Sequence, residues 1–259
     1  MRILVSNDDG IHARGIQTLA RTLSREHEVY MVAPEMERSA TAHALTLHKP
    51  IRVKELDMDF SVKQAFAITG TPSDCVKIGL NALLDVDIDL VVSGINHGPN
   101  LGADVLYSGT VSAALEGAIN GLPSIAVSLM NGYEKLAEFS HGAEFILKFI
   151  DKAMAVGIPA KTILNVNIPA VPLHDMAGVR LTQLGRSLYT DTYERRTDPR
   201  GGVYYWLAGE IIDVDQAEDT DLQVIRNNQI SITPVHFDLT SYDVLHDLRE
   251  KASILEGLL

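Results

Sequence analysis

Four short stretches concentrate the side chains that could do chemistry. The first is Asn7-Asp8-Asp9-Gly10. Adjacent carboxylates in a tight turn repel one another; either a cation relieves that repulsion, or the turn is solvated and one aspartate caps a helix. The second, Pro34-Glu35-Met36-Glu37-Arg38-Ser39-Ala40-Thr41, supplies hydroxyls at Ser39 and Thr41, and taken alone also reads as an ordinary polar loop. The third, Gly94-Ile95-Asn96-His97-Gly98-Pro99-Asn100-Leu101-Gly102, is dense in glycine and asparagine. Such a backbone is built to approach something closely, and the amide oxygens of Asn96 and Asn100 are hard, neutral donors. The fourth, Tyr107-Ser108-Gly109-Thr110, stands directly ahead of a helical stretch. Backbone N–H groups and hydroxyls at a helix N-terminus receive a phosphate, and the same residues serve as a plain N-cap.

The donors in these stretches are oxygens, which suit Mg²⁺, Mn²⁺ or Ca²⁺ better than Zn²⁺. His12, His43 and His97 fall in the same loops without the HExxH or Cys/His spacing of a zinc site, and read as surface or orienting histidines. A divalent cation beside an anion pocket points to phosphoryl chemistry. Other chemistries fail on spacing. There is no GxxxxGK[ST], NDDG stands where a dinucleotide site has GxGxxG, and there is no GxSxG elbow. A covalent phospho-aspartate at Asp8 would want a second acid two residues on, where Gly10 stands. Attack by water is preferred.

The elements that must hold these stretches alternate between buried strands and amphipathic helices. Apolar runs at residues 3–5, 29–33, 65–69, 90–93, 124–129 and 163–168 read as strands covered on both faces. Helical spacing appears over 16–23, 74–84, 111–120 and 136–156. This alternation predicts a three-layer, Rossmann-like, mostly parallel α/β sheet over residues 1–172, with ligands beyond the carboxyl ends of the strands. Residues 173–259 change character. Segments 179–184 and 202–207 flank a polar stretch, 185–200, and read as a long hairpin arm, followed by a strand at 229–234 and a helix at 241–258. Such an arm suggests exchange between subunits. Arg186, Arg195, Arg196 and Arg200 either lend positive charge to a neighbouring subunit's substrate or, as preferred, decorate a solvated arm; Trp206 either stacks on a base or, as preferred, packs an interface.

The chain has 259 residues, with 22 Lys and Arg against 34 Asp and Glu, a formal charge of −12. That surface repels nucleic-acid polymers and anionic membranes. The single cysteine, Cys75, excludes an intramolecular disulfide and a thiolate zinc cage. The start lacks an apolar signal-peptide core, and no 18 apolar residues run together, so a cytoplasmic protein is expected.

The run VSNDDGIHARGI, the loop PEMERSA and the block VVSGINHGPNLGADVLYSGTVSAALEGA closely resemble the SurE family, the stationary-phase survival protein E nucleotidases. ITGTPSDCVKIGL, RTDPRGGVYYWLAG and ISITPVHFDLT resemble its later segments. The resemblance implies a metal-dependent phosphatase that hydrolyses nucleoside 5′- and 3′-monophosphates to nucleoside and phosphate, with short polyphosphate a further substrate of some members. It implies a divalent cation, Mg²⁺ or Mn²⁺, on Asp8, Asp9, Ser39 and Asn96; the mechanism expected to follow is attack by metal-activated water with Asp8 and Asp9 as catalytic residues, Asp9 rather than Asp8 positioning or deprotonating the water. It implies phosphate binding by Ser108, Gly109 and Thr110, with Asn100 and Gly94 nearby, and an arm exchanged in homodimers or homotetramers. Two other classes compete on the residues alone. A sugar-nucleotide transferase would need more chain and lacks the Asp-Asp pair; a non-catalytic nucleotide-binding protein would keep the phosphate loop without needing the cation.

Overall fold

The computed structural model describes residues 1–130, 138–190, 192–209, 211–213 and 217–251. Six parallel strands form the centre: β1 (Arg2–Ser6), β2 (Glu28–Pro34), β4 (Gln64–Ile68), β5 (Leu90–His97), β6 (Ser124–Leu129) and β7 (Thr162–Ile168). A short edge strand, β3 (Val53–Glu55), runs antiparallel to β4. At the other edge β13 (Ile230–His236) is antiparallel to β7, and β8 (Val179–Leu181) runs parallel to β13. The order is β3-β4-β2-β1-β5-β6-β7-β13-β8.

Alternation along β1 shows how the layers arise. Ile3 and Val5 face one way, onto α1 (Arg14–Leu23) and α4 (Ser140–Val156), through Ile16, Leu19, Ala143 and Ile146. Leu4 faces the other way, onto Val76 of α2 (Pro72–Ile78) and Ala113 of α3 (Gly109–Ile119). Both faces of the parallel strands are therefore dry, which is why the strands are largely apolar. From β1 the chain winds outward to β2 and β4, then returns to pair β5 on the other side of β1. The carboxyl ends of β1 and β5 are the topological switch point, where such sheets bind ligands.

Gly15 sets how closely α1 lies on this sheet: a Cβ there would stand 1.9 Å from the Ile95 carbonyl oxygen. Gly15→Ala is expected to lower unfolding free energy by about 3 kcal/mol in urea titration, because rigid backbone must give way. A loss within about 0.5 kcal/mol would mean that the helix seats farther out.

Several elements differ from the sequence reading. The helix read over 74–84 begins at Pro72, behind a capping box of Thr71 and Asp74, and passes at Gly79 into a π-helical turn, Gly79–Leu83. Segment 179–184 does not pair with 202–207. Its β8 joins the main sheet, while β11 (Val203–Ala208) forms a hairpin with β10 (Thr192–Thr197), inside the stretch read as a connection. β9 (Ser187–Tyr189) pairs with β12 (Ile211–Asp213), and α5 (Asp221–Arg226) precedes β13. The terminal helix is α6 (Tyr242–Glu250), with no buried residue. The parts of the long-helix and terminal-helix readings at 136–137 and 252–258 lie outside the described residues. No helix among the described residues is long and apolar enough to cross a membrane.

Candidate active site

The carboxyl ends of β1 and β5 meet the N-terminus of α3. Asp8, buried, accepts the Thr110 hydroxyl at 2.5 Å through Oδ1, and the same hydroxyl lies 3.4 Å from Asn96 Oδ1. One threonine thus brings together the end of β1 and the end of β5. Asp9 faces the same loop, its Oδ2 accepting the His97 N–H at 3.1 Å. Gly109, the first residue of α3, fits against Asp8 only because it lacks a side chain: a Cβ would stand 2.7 Å from Asp8 Cβ and 2.9 Å from Asp8 Oδ2. Ser108 caps the helix, its hydroxyl accepting the Val111 N–H at 3.1 Å. The positive end of the α3 dipole is thereby aimed at the aspartate turn.

A cleft of about 250 Å³ opens here, lined among others by Asp8, Ser39, Asn96, Asn100, Tyr107 and Ser108. Ser39 is exposed and donates to Glu37 Oε1 at 2.7 Å. Its loop is pinned over the site by Arg38 N–H to the Asp8 carbonyl (2.7 Å) and Ala42 N–H to the Tyr107 carbonyl (3.1 Å). His43 Nε2 lies 2.9 Å from Glu116 Oε2, a buried α3 carboxylate that also takes Lys77 Nζ at 2.9 Å. Asn100 is held tightly. Its N–H donates to Asn167 Oδ1, its carbonyl accepts Asn165 Nδ2 and Asn167 Nδ2, and its own Nδ2 donates to Ser128 Oγ. Gly94 does not line the cleft. It lies within β5 at φ 137°, where a Cβ would meet the Val127 carbonyl oxygen at 2.3 Å.

Burial pushes the Asp8 carboxyl up to about 6; the Thr110 hydroxyl opposes this and the Asp9 charge adds to it. Burial also brings Asp9 up to about 6, against the His97 N–H and with help from the Glu37 charge. Burial lowers His97, which stacks on Phe139 with ring centroids 5.0 Å apart. Two desolvated, mutually repelling carboxylates beside an amide oxygen make a strongly acceptor-rich pocket. No group of three or more His, Cys, Asp or Glu suited to a metal comes together among the described residues. The donors gathered here are instead two carboxylates, an amide and, on the cleft wall, a hydroxyl.

Glu37, Tyr107 and the β7 asparagines did not stand out in the sequence. Asn165 and Asn167 carried a usable signal: two amides two residues apart in the apolar run TILNVNI must share one buried face, and both are fully buried.

The family profile described as "Survival protein SurE" matches residues 3–191. The 5′-nucleotidase SurE of Moorella thermoacetica is 52% identical over 255 residues, 98% of this chain and 97% of its own. That of Gloeobacter violaceus is 53% identical over 242 residues, 93% of this chain and 91% of its own. The crystal structure of the SurE protein from Aquifex aeolicus matches with a TM-score of 0.83 at 38% identity, covering 97% of this chain and 100% of that one. With motif, fold and nearly full-length identity in agreement, the chain belongs to the SurE family.

Proposed function

We propose that this chain is a metal-dependent phosphomonoesterase that hydrolyses nucleoside 5′-monophosphates to nucleoside and phosphate. Nucleoside 3′-monophosphates and short polyphosphate are further substrates, since the feature being gripped is the phosphate. The observation that carries the reading is the junction at Thr110, where the Asp8 carboxylate, the Asn96 amide and the α3 N-terminus converge at the switch point. The names of the 5′-nucleotidase relatives at about half identity support it.

The residues suit a hard divalent cation. Asp8, Asp9 and Asn96 are oxygen donors, Gly109 leaves Asp8 Oδ2 uncrowded, and the raised carboxyl pKa values mark charge that a cation would compensate. Asp8, Asp9, Asn96 and Ser39 would hold Mg²⁺ or Mn²⁺, which supplies Lewis acidity toward a phosphate oxygen and acidifies water in the site. Ser39 would turn its hydroxyl from Glu37 to do so. The N-terminus of α3, with Ser108, Gly109 and Thr110, binds the phosphate oxygens and steadies the charge that develops on them. Asp9 orients the attacking water and accepts its proton. The water oxygen bonds to phosphorus as the phosphorus–ester oxygen bond breaks, and the leaving oxygen takes up a proton from solvent, so that the nucleoside departs as its alcohol. Phosphate release from a panel of 5′- and 3′-nucleotides with Mn²⁺ present tests this reading; a folded protein that releases none overturns it.

The cation reading has a signature in stability. Both carboxyls titrate near 6 in the folded chain against an ordinary 3.8. Their contribution to stability is therefore full below about 3.8 and is lost as pH rises through about 6. Without cation, each ionised carboxylate weakens the fold at neutral pH, and a bound cation offsets this. Added Mn²⁺ is expected to raise the melting temperature more at about pH 7.5 than at about pH 5, by differential scanning fluorimetry. An equal rise at both would contradict it.

The arm is read as the element exchanged between subunits of a homodimer or homotetramer, with residues 1–172 as the catalytic core. In support, Trp206 is 60% exposed on the single chain, beside the exposed Tyr205 and Leu207. Light scattering that finds only monomer would contradict the assembly.

A further inference from the structure

Asp221, the first residue of α5, is a fully buried carboxylate that the chemistry above does not use. Its oxygens accept three N–H groups, from widely separated and local chain alike: Oδ2 takes Gly102 at 2.8 Å, and Oδ1 takes Gly185 and Leu222, each at 2.8 Å. Hydrogen bonds to a charged acceptor shut away from water are the strong kind, and removing the acceptor strands the donors.

What these donors carry is informative. Gly102, at φ 51°, opens the 3₁₀ turn Gly102–Leu106. In that turn Asp104 N–H donates to the Leu101 carbonyl at 3.0 Å, and Ser108 N–H donates to the Asp104 carbonyl at 3.1 Å. The backbone thus runs from the Asp221 anchor to the α3 cap in one stitched segment, and Leu101 packs on Leu222 and Ile225 beneath it. On the other side Asp221 N–H donates to the Gln183 carbonyl at 2.9 Å. Gly185 lies so close that a Cβ would stand 2.6 Å from Leu222 Cδ1 and 3.1 Å from Asp221 Oδ1. Beyond Gly185 the chain enters the arm.

We propose that Asp221 is a positioning residue for phosphate binding, which fixes the backbone leading to residues 108–110 and ties it to the root of the arm at Gly185. The proposal rests on the reading of residues 108–110 as the phosphate grip. It makes the affinity of the site for phosphate esters depend on how the arm is seated.

The test compares the full-length protein with Asp221→Ala, Asp221→Asn and Gly185→Ala in steady-state kinetics at saturating Mn²⁺. A nucleoside 5′-monophosphate and p-nitrophenyl phosphate serve as substrates, and Mn²⁺ titration is run alongside. Asp221→Ala is expected to raise KM about tenfold for both substrates, with kcat and Mn²⁺ affinity within about threefold of wild type. Asp221→Asn keeps one acceptor oxygen and gives an intermediate KM. Gly185→Ala raises KM from the arm side without touching the cleft. Unchanged KM in Asp221→Ala overturns the proposal; if that variant does not fold, unchanged KM in both other variants does so. A wild-type protein inert on both substrates overturns the phosphate reading itself, and this inference with it, whereas active wild type with unaltered variants overturns the positioning role alone.

Discussion

Asp8→Ala is expected to lower phosphate release by on the order of 10³-fold or more while leaving the fold intact. Asp8 is placed to do two things at once. One oxygen holds the Thr110 hydroxyl at 2.5 Å, and the other faces the gap that Gly109 leaves open at the helix N-terminus. Alanine releases Thr110 and, on the proposed reading, also removes a cation donor, so both halves of the site lose their common anchor. The folded state should not suffer in proportion, because the buried carboxylate itself weakens the fold at neutral pH. Loss of turnover with an unchanged or raised melting temperature would fit; full activity without a cation requirement in this variant would contradict the role of Asp8.

Gly109→Ala is the second large effect, expected to reduce kcat/KM by about 10²-fold through displacement of Asp8. The added Cβ would stand 2.7 Å from Asp8 Cβ, 2.9 Å from Asp8 Oδ2 and 3.0 Å from Pro72 Cγ, so the aspartate must move. Alanine is otherwise a better helix former than glycine, by about 1 kcal/mol in a helix interior, so helix propensity does not predict damage. A circular dichroism spectrum like wild type beside a weakened Mn²⁺ affinity is the expected pairing. Unchanged kinetics would mean that Asp8 and the α3 N-terminus are not in functional contact.

The sequence made the parallel sheet readable because the central strands are short, largely apolar runs buried on both faces, as in LVVS or SIAVSL, and the intervening helices show one apolar stripe. From strand ends alone the aspartate turn, the Asn96 loop and the Ser108 cap could be placed on one edge. The edge strand β3 gave no such signal: Val53, Lys54 and Glu55 are all exposed, and their pairing with β4 is a backbone matter. Strand β10, reading TYERRT, is likewise exposed throughout, so neither face shows a period and the hairpin's true partner was hidden. Asp221 was invisible for a different reason. A lone aspartate at the head of a short helix looks like an N-terminal charge, and only tertiary structure brings Gly102 and Gly185 to its oxygens.

The most direct test of the central claim is phosphate release from a nucleoside 5′-monophosphate by protein stripped with EDTA and then resupplied with Mg²⁺ or Mn²⁺. Stripping is expected to stop release, and either cation to revive it. Undiminished release from protein shown to be free of divalent metal would contradict it.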